Sequence, residues 1–141
     1  HEETDLLLTG AVDDVWIDLD TDELVVVDYK STSSKDEVNL DKDWQISYKR
    51  QMEFYQWLLR QNGFKVSNDG YFVYCNGIKN KESFDEVLEF KVKVLHYEGH
   101  DSWVEPTIRE IKEIINNDKT PDADEECDTC SYVGTRFELE L

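Results

Sequence analysis

The run Leu24-Val25-Val26-Val27, followed directly by Asp28-Tyr29-Lys30, constrains the fold more than any other part of the sequence. Four consecutive apolar residues without a helical period are typical of a strand that is buried on both faces of a sheet. The polar cluster at 18–22 precedes this run and predicts a turn. We therefore predict a central strand over Leu24–Lys30, with one or two extended segments before it over Asp5–Asp18.

The rest of the chain alternates between helical and extended patterns. A long helix is predicted from Trp44 to Gln61, with Asp43 as its cap and Gly63 as its stop signal. The other predictions are a loop at Ser31–Asp43, strands at Tyr71–Cys75 (ending at the turn dipeptide Asn76-Gly77) and Glu86–Tyr97, and a helix at Trp103–Asn117. The order β-β-β-loop-α-β-β-α predicts an α/β fold in one domain over residues 1–141.

Composition narrows the class of protein. Seventeen aromatic residues (six Phe, seven Tyr and four Trp) among 141 exclude a disordered acidic tail. No long uncharged apolar run or basic leader occurs, so we expect no membrane partner. Three cysteines do not form a disulfide framework, which favours a reducing, cytoplasmic location. Because the sequence starts at His1, we also expect an N-terminal helical segment to be missing from it.

Charged residues interrupt the strand pattern at one place. In an antiparallel hairpin that turns at Asp20-Thr21, Ile17 would lie opposite Leu24, Val15 opposite Val26, and Asp13 opposite Asp28. Facing carboxylates need a compensating cation, and Mg²⁺ is commonly held by one or two carboxylates together with water and phosphate oxygens. The alternative is a plain ion pair between Asp28 and Lys30, with Asp13 facing water.

Three motifs together resemble the PD-(D/E)xK nuclease superfamily, in its RecB-like exonuclease branch: Gly10-Ala11-Val12-Asp13, Asp28-Tyr29-Lys30 and Gln51-Met52-Glu53-Phe54-Tyr55. The resemblance implies a restriction-endonuclease-like core, a mixed β-sheet flanked by α-helices. It also implies that Asp13, Asp28 and the Tyr29 carbonyl bind Mg²⁺ or Mn²⁺. Lys30 would position or deprotonate the attacking water and stabilise charge on the phosphorane.

The resemblance also assigns a role to the predicted helix. Gln51 and Tyr55 are four residues apart, so they share a helix face with Trp44 and Tyr48. An aromatic residue on such a face is commonly a core residue, but a glutamine there needs hydrogen-bond partners. We expect Gln51 and Tyr55 to support the catalytic residues or to contact DNA.

The sequence departs from the RecB-like pattern at two places. Members of the branch often carry a catalytic histidine on an upstream helix, and His1 lies too close to the first strand to be that residue. Cys127 and Cys130 resemble the C-x-x-C of members with an iron-sulfur cluster, but Arg136 stands where a further cysteine is expected. We therefore expect no iron-sulfur cluster, and leave open a half-built zinc site or a thiol pair near a packed C-terminal strand.

The formal net charge of −18 is unusual for a protein that binds DNA. Basic residues nevertheless cluster near the proposed site, at Lys30, Lys35, Lys42, Lys49 and Arg50. The leading hypothesis is a metal-dependent exonuclease acting on linear DNA ends in recombination, repair, or phage or CRISPR DNA processing. The alternative is a catalytically silent acidic module with a nuclease fold, which docks on a nuclease-helicase or another basic partner. Homo-oligomerisation stays open.

Overall fold

The computed structural model describes residues 1–80 and 86–139. Its strands are β1 (Asp14–Asp18), β2 (Glu23–Thr32), β3 (Val66–Gly77) and β4 (Phe90–Glu98); its helices are α1 (Ile46–Gln61), α2 (Val104–Ile115) and α3 (Asp128–Leu139), and a 3-10 turn at Asp43–Gln45 leads into α1. The strands form one mixed sheet in the order β1-β2-β3-β4, antiparallel except for the parallel pair β2 and β3. The predicted fold class is confirmed.

The central position of β2 follows from its composition. Residues Val25 to Asp28 are all buried, and β2 pairs with β1 on one side and with β3 on the other. The predicted hairpin register is confirmed for Ile17 opposite Leu24 and for Val15 opposite Val26. The ladder ends one pair later, at Asp14 opposite Val27.

Helix α1 covers the sheet face that carries the even-numbered residues of β2. Val26, Met52, Tyr55, Phe72 and Tyr74 form the main buried cluster on this side. Helix α2 packs Val104 and Ile108 against Trp57 of α1. On the opposite face of the sheet, Phe90, Val92 and Val94 are each more than half exposed.

Several predicted boundaries are wrong at the start of the chain. Only 14–18 of the predicted extended segment 5–18 is a strand, so there are two early strands instead of three. Asp43 does not cap α1: the Gln45 side chain accepts a hydrogen bond from the Lys42 backbone N–H at 2.9 Å, and the 3-10 turn precedes the helix. The predicted helix end is confirmed, with Gly63 in the left-handed region at φ +84°.

The second half of the sheet also differs from the prediction. Asn76 and Gly77 do not form a turn: both lie within β3, opposite Lys91 and Phe90. Strand β4 starts at Phe90 instead of Glu86, and α2 is shorter than predicted by one residue at its start and two at its end. Residues Asp128–Leu139 form the helix α3, so the alternative of a packed C-terminal strand is wrong for this part of the chain. Within the described ranges, no helix has the length and apolar character needed to cross a membrane.

Candidate active site

Strand β2 places Asp28 and Lys30 side by side. The two residues are separated by one position, so both point to the α1 side of the sheet. Asp28 is 2% exposed, and its Oδ2 forms an ion pair with the Lys30 Nζ. Burial raises the pKa of Asp28, although the hydrogen bond and the charge of Lys30 act in the opposite direction.

Asp13 reaches the same place from the other side of the hairpin. It lies one residue before β1, beyond the last pair of the ladder, and its Oδ2 accepts a hydrogen bond from the Tyr29 N–H at 2.9 Å. Asp13 adds to the raised pKa of Asp28 through its charge and a side-chain contact, although burial of Asp28 is the larger cause. The predicted pair of Asp13 opposite Asp28 is not part of the ladder, which ends at Asp14 opposite Val27, and the Asp13 side chain is held near Asp28 by the Tyr29 N–H instead. The role of the two carboxylates as metal ligands stays a prediction.

Helix α1 adds two more predicted residues through a chain of hydrogen bonds. The Lys30 Nζ donates to the Gln51 Oε1 at 3.1 Å, and the Gln51 Nε2 donates to the Tyr55 hydroxyl at 2.9 Å. Tyr55 is also a buried core residue, as is common for an aromatic residue on such a helix face, and its role in the site stays a prediction. These hydrogen bonds hold the Lys30 ammonium group between the Asp28 carboxylate and the Gln51 amide.

Two further residues shape the site. Lys30 Nζ lies 4.6 Å from the centre of the Tyr48 ring, which supplies a cation–π contact. Gly10 lies against Tyr55: a Cβ at position 10 would stand 2.8 Å from Tyr55 Cε1. Only glycine therefore lets the segment before Asp13 pass so close to α1. The sequence motif contained Gly10, but its partner could not be predicted from the motif.

The opposite face of the sheet carries a contact that the sequence did not reveal. The Tyr29 hydroxyl donates to the Asp14 Oδ2 at 2.9 Å, and the Trp16 Nε1 donates to the same oxygen at 3.2 Å. The Tyr29 side chain thus fixes the hairpin from the far side, while its N–H holds Asp13. The role of the Tyr29 carbonyl as a metal ligand stays a prediction.

The donor set fits a hard divalent cation. A buried carboxylate, whose Oδ2 is ion-paired with Lys30, lies next to a second carboxylate. Oxygen ligands of this kind suit Mg²⁺ or Mn²⁺, which keep water molecules and substrate phosphates in the remaining positions. Within residues 1–80 and 86–139, no group of three or more His, Cys, Asp and Glu side chains forms a cage for a metal.

The cysteine pair lies at the start of α3. The Cys127 Sγ accepts a hydrogen bond from the Cys130 N–H at 3.3 Å, and hydrogen bonding from Cys130 lowers the pKa of Cys127. Cys75 lies elsewhere, in β3. This arrangement leaves the predictions about an iron-sulfur cluster and a zinc site untested.

One of three comparisons with known proteins found a match. A sequence model of the PD-(D/E)XK nuclease superfamily matches residues 1–135. Comparison with curated proteins and with solved structures found no match. Because the match covers nearly the whole sequence, the chain belongs to the PD-(D/E)XK nuclease superfamily.

Proposed function

We propose that this chain is a metal-dependent DNA exonuclease of the RecB-like branch, with residues 1–141 as one nuclease domain. The observation that carries the proposal is the convergence of Asp13, Asp28 and Lys30, with Gln51 bound to the lysine and Tyr55 bound to Gln51. Two carboxylates and one positioned ammonium group suit the hydrolysis of a phosphodiester. The motif Gln51–Tyr55, which resembles the RecB-like pattern, supports the choice of branch.

Each residue has a defined task in this proposal. Asp13 and Asp28 would hold Mg²⁺ or Mn²⁺, with the Tyr29 carbonyl as a further ligand. The bound ion would acidify a water molecule and neutralise the phosphate oxygens. Lys30 would leave its ion pair with Asp28 and direct its ammonium group at the attacking water and the developing negative charge. Gln51 would hold the ammonium group in place, and Tyr55 would hold the Gln51 amide.

The net charge of −18 favours a second candidate, the catalytically silent acidic module that docks on a helicase or another basic partner. The two candidates differ in what they require of Lys30. A docking module needs the fold only, whereas a nuclease needs the ammonium group beside the metal ligands. DNA recombination, repair, and phage or CRISPR DNA processing are the settings in which the exonuclease would act.

Digestion of end-labelled linear DNA and of covalently closed DNA would test the proposal. Each substrate is incubated with Mg²⁺, Mn²⁺ or EDTA, using the wild type, Lys30→Ala and the control Lys119→Ala, which changes an exposed lysine between α2 and α3. We expect wild type and control to degrade only linear DNA, with either metal, and Lys30→Ala to be inactive. Cleavage of closed circles would refute the exonuclease assignment. Absence of any cleavage by the wild type would support the docking module.

A further inference from the structure

An exposed tryptophan stands beside the lysine of the candidate active site. Trp44 is 56% exposed, and its ring meets Tyr48 edge to face at a centroid distance of 5.3 Å. The Tyr48 ring also contacts the Lys30 ammonium group. One aromatic ring therefore separates the proposed catalytic lysine from an indole that is largely open to solvent.

Side-chain hydrogen bonds hold the turn that carries Trp44 in place. It lies in the 3-10 turn, between Asp43 and the buried residue Gln45. The Gln45 Nε2 donates to the Asn39 carbonyl at 2.7 Å, and the Gln45 Oε1 accepts from the Lys42 N–H. Because the Gln45 hydrogen bonds fix this turn, ordering the indole on binding costs less entropy than ordering a side chain on a flexible loop.

The cavity next to Trp44 has both polar and apolar walls. It holds about 110 Å³ and is lined by the end of β2, by the loop after it and by Lys42, Trp44, Tyr48 and Tyr74. Ser31, Thr32 and Ser34 add hydroxyl groups that can bind the sugar or the phosphate of a nucleotide. The cavity begins at the residue after Lys30, so its contents lie next to the proposed site of cleavage.

Lysine side chains continue away from this cavity, interspersed with Asp36 and Glu37. One adjoining cavity shares Ser34 with it and is bordered by Lys35 and Lys79. Another shares Glu37 and Val38 and is bordered by Lys35, Lys91 and Lys93. Together with Lys42, five of the fifteen basic residues of the chain lie along this one edge. One of them, Lys93, is paired with Glu37 at 2.6 Å. A row of lysines next to an exposed indole is the pattern of a surface for single-stranded nucleic acid.

We propose that Trp44 stacks on an unpaired base of the DNA strand next to the scissile phosphate, with Lys42 at the adjacent backbone phosphate. The DNA substrate rests on the proposed function, and the inference adds that the bound end is single-stranded. A base inside a duplex has both faces covered by its neighbours, whereas an unpaired base offers a face to the indole.

Binding of a fluorescein-labelled single-stranded decathymidine, followed by fluorescence anisotropy at fixed ionic strength, would test the inference. Ca²⁺ replaces Mg²⁺ so that binding can be read apart from cleavage. We expect Trp44→Ala to weaken binding roughly 5- to 150-fold, the range for loss of one stacked base, and Trp44→Tyr to retain most of it. Phe64→Ala is the matched control, because Phe64 is 52% exposed and follows the far end of α1.

A decamer made entirely of abasic nucleotides separates stacking from backbone contacts. The wild type and Trp44→Ala should bind this decamer equally, and they should also bind covalently closed duplex DNA equally, because it has no terminal base pair. Equal binding of the thymidine strand by the wild type and Trp44→Ala would overturn the inference. A loss of affinity in Trp44→Ala that is as large for the abasic strand as for the thymidine strand would also overturn it, as would no binding by the wild type. If Lys30-dependent cleavage persists in such a case, the proposed function stands. Conversely, Trp44-dependent binding without cleavage by the wild type supports stacking and refutes the nuclease.

Discussion

Replacing Lys30 by methionine would isolate the buried carboxylate of the candidate active site. The side chains of Lys30 and Asp28 are 16% and 3% exposed, and Lys30 is the cation that forms an ion pair with Asp28. Removal of one partner from a buried ion pair typically costs about 3–5 kcal/mol, because the remaining charge stays desolvated. We therefore expect Lys30→Met to lower the free energy of unfolding by about that amount near neutral pH.

The pH dependence of this loss has a definite sign. Loss of the ammonium group removes a hydrogen bond and a charge that lower the pKa of Asp28, so this pKa rises further above its value in the unfolded chain. The native state then binds more protons than the unfolded state, and stability falls as the pH rises between the two pKa values. Below this interval Asp28 is protonated in both states, and most of the loss should disappear.

Urea denaturation of four proteins would measure the effect: wild type, Lys30→Met, Asp28→Asn and the double variant. Because the double variant has no unpaired charge, we expect it to regain most of the stability that Lys30→Met loses. Mg²⁺ or Mn²⁺ should also stabilise Lys30→Met, because the metal replaces the missing cation. A loss that is the same at every pH, and that simply adds to the loss from Asp28→Asn, would refute the reasoning.

Three other variants test separate contacts. Gln51→Leu removes the charge-assisted hydrogen bond to Lys30, worth about 1.5–3 kcal/mol, so kcat/KM for DNA cleavage should fall roughly 10- to 150-fold, while Mn²⁺ affinity stays the same. Gly10→Ala pushes a Cβ into the Tyr55 ring, and urea denaturation should show a loss of about 1–3 kcal/mol. Glu53→Ala leaves three partly buried donors without their acceptor: the Tyr97 hydroxyl, the His100 N–H and the Trp103 Nε1. We therefore expect Glu53→Ala to lower the free energy of unfolding by about 3–5 kcal/mol. The exposed control Glu110→Ala should leave this free energy unchanged. Equal stability of the two glutamate variants would show that this hydrogen-bond network is unimportant.

Local pattern was sufficient to predict the β1–β2 hairpin and the helices α1 and α2. The register of β1 and β2 depends on an alternation of apolar residues across a short turn, so a few neighbouring residues determine it. Asp28 and Lys30 share a face of β2 because side chains alternate along a strand, and Gln51 and Tyr55 share a face of α1 because they are four residues apart. These contacts are encoded over short stretches of the chain.

Features that depend on distant partners could not be predicted. The first half of β3 is polar, and Arg60 of α1 donates to the carbonyls of Val66 and Ser67, which ties that half to the helix. The acceptor role of Glu53 was missed for the same reason, since its donors lie 44 to 50 residues further along the chain. The helix α3 lacks a regular apolar stripe, with Tyr132, Val133 and Phe137 all exposed, so periodicity gave no signal for it.

The two carboxylates of the candidate site belong to parts of the fold that open at different free energies. Asp28 lies in a central strand with neighbours on both sides, whereas Asp13 lies outside the ladder, ahead of a five-residue edge strand. Residues in such a position exchange their amide hydrogens through local opening, without global unfolding. The amide of Tyr29, which is bound to Asp13, should therefore exchange faster than those of Val26 and Val27. Denaturant too dilute to unfold the sheet would detach Asp13 first, so metal binding would be lost while the fold persists.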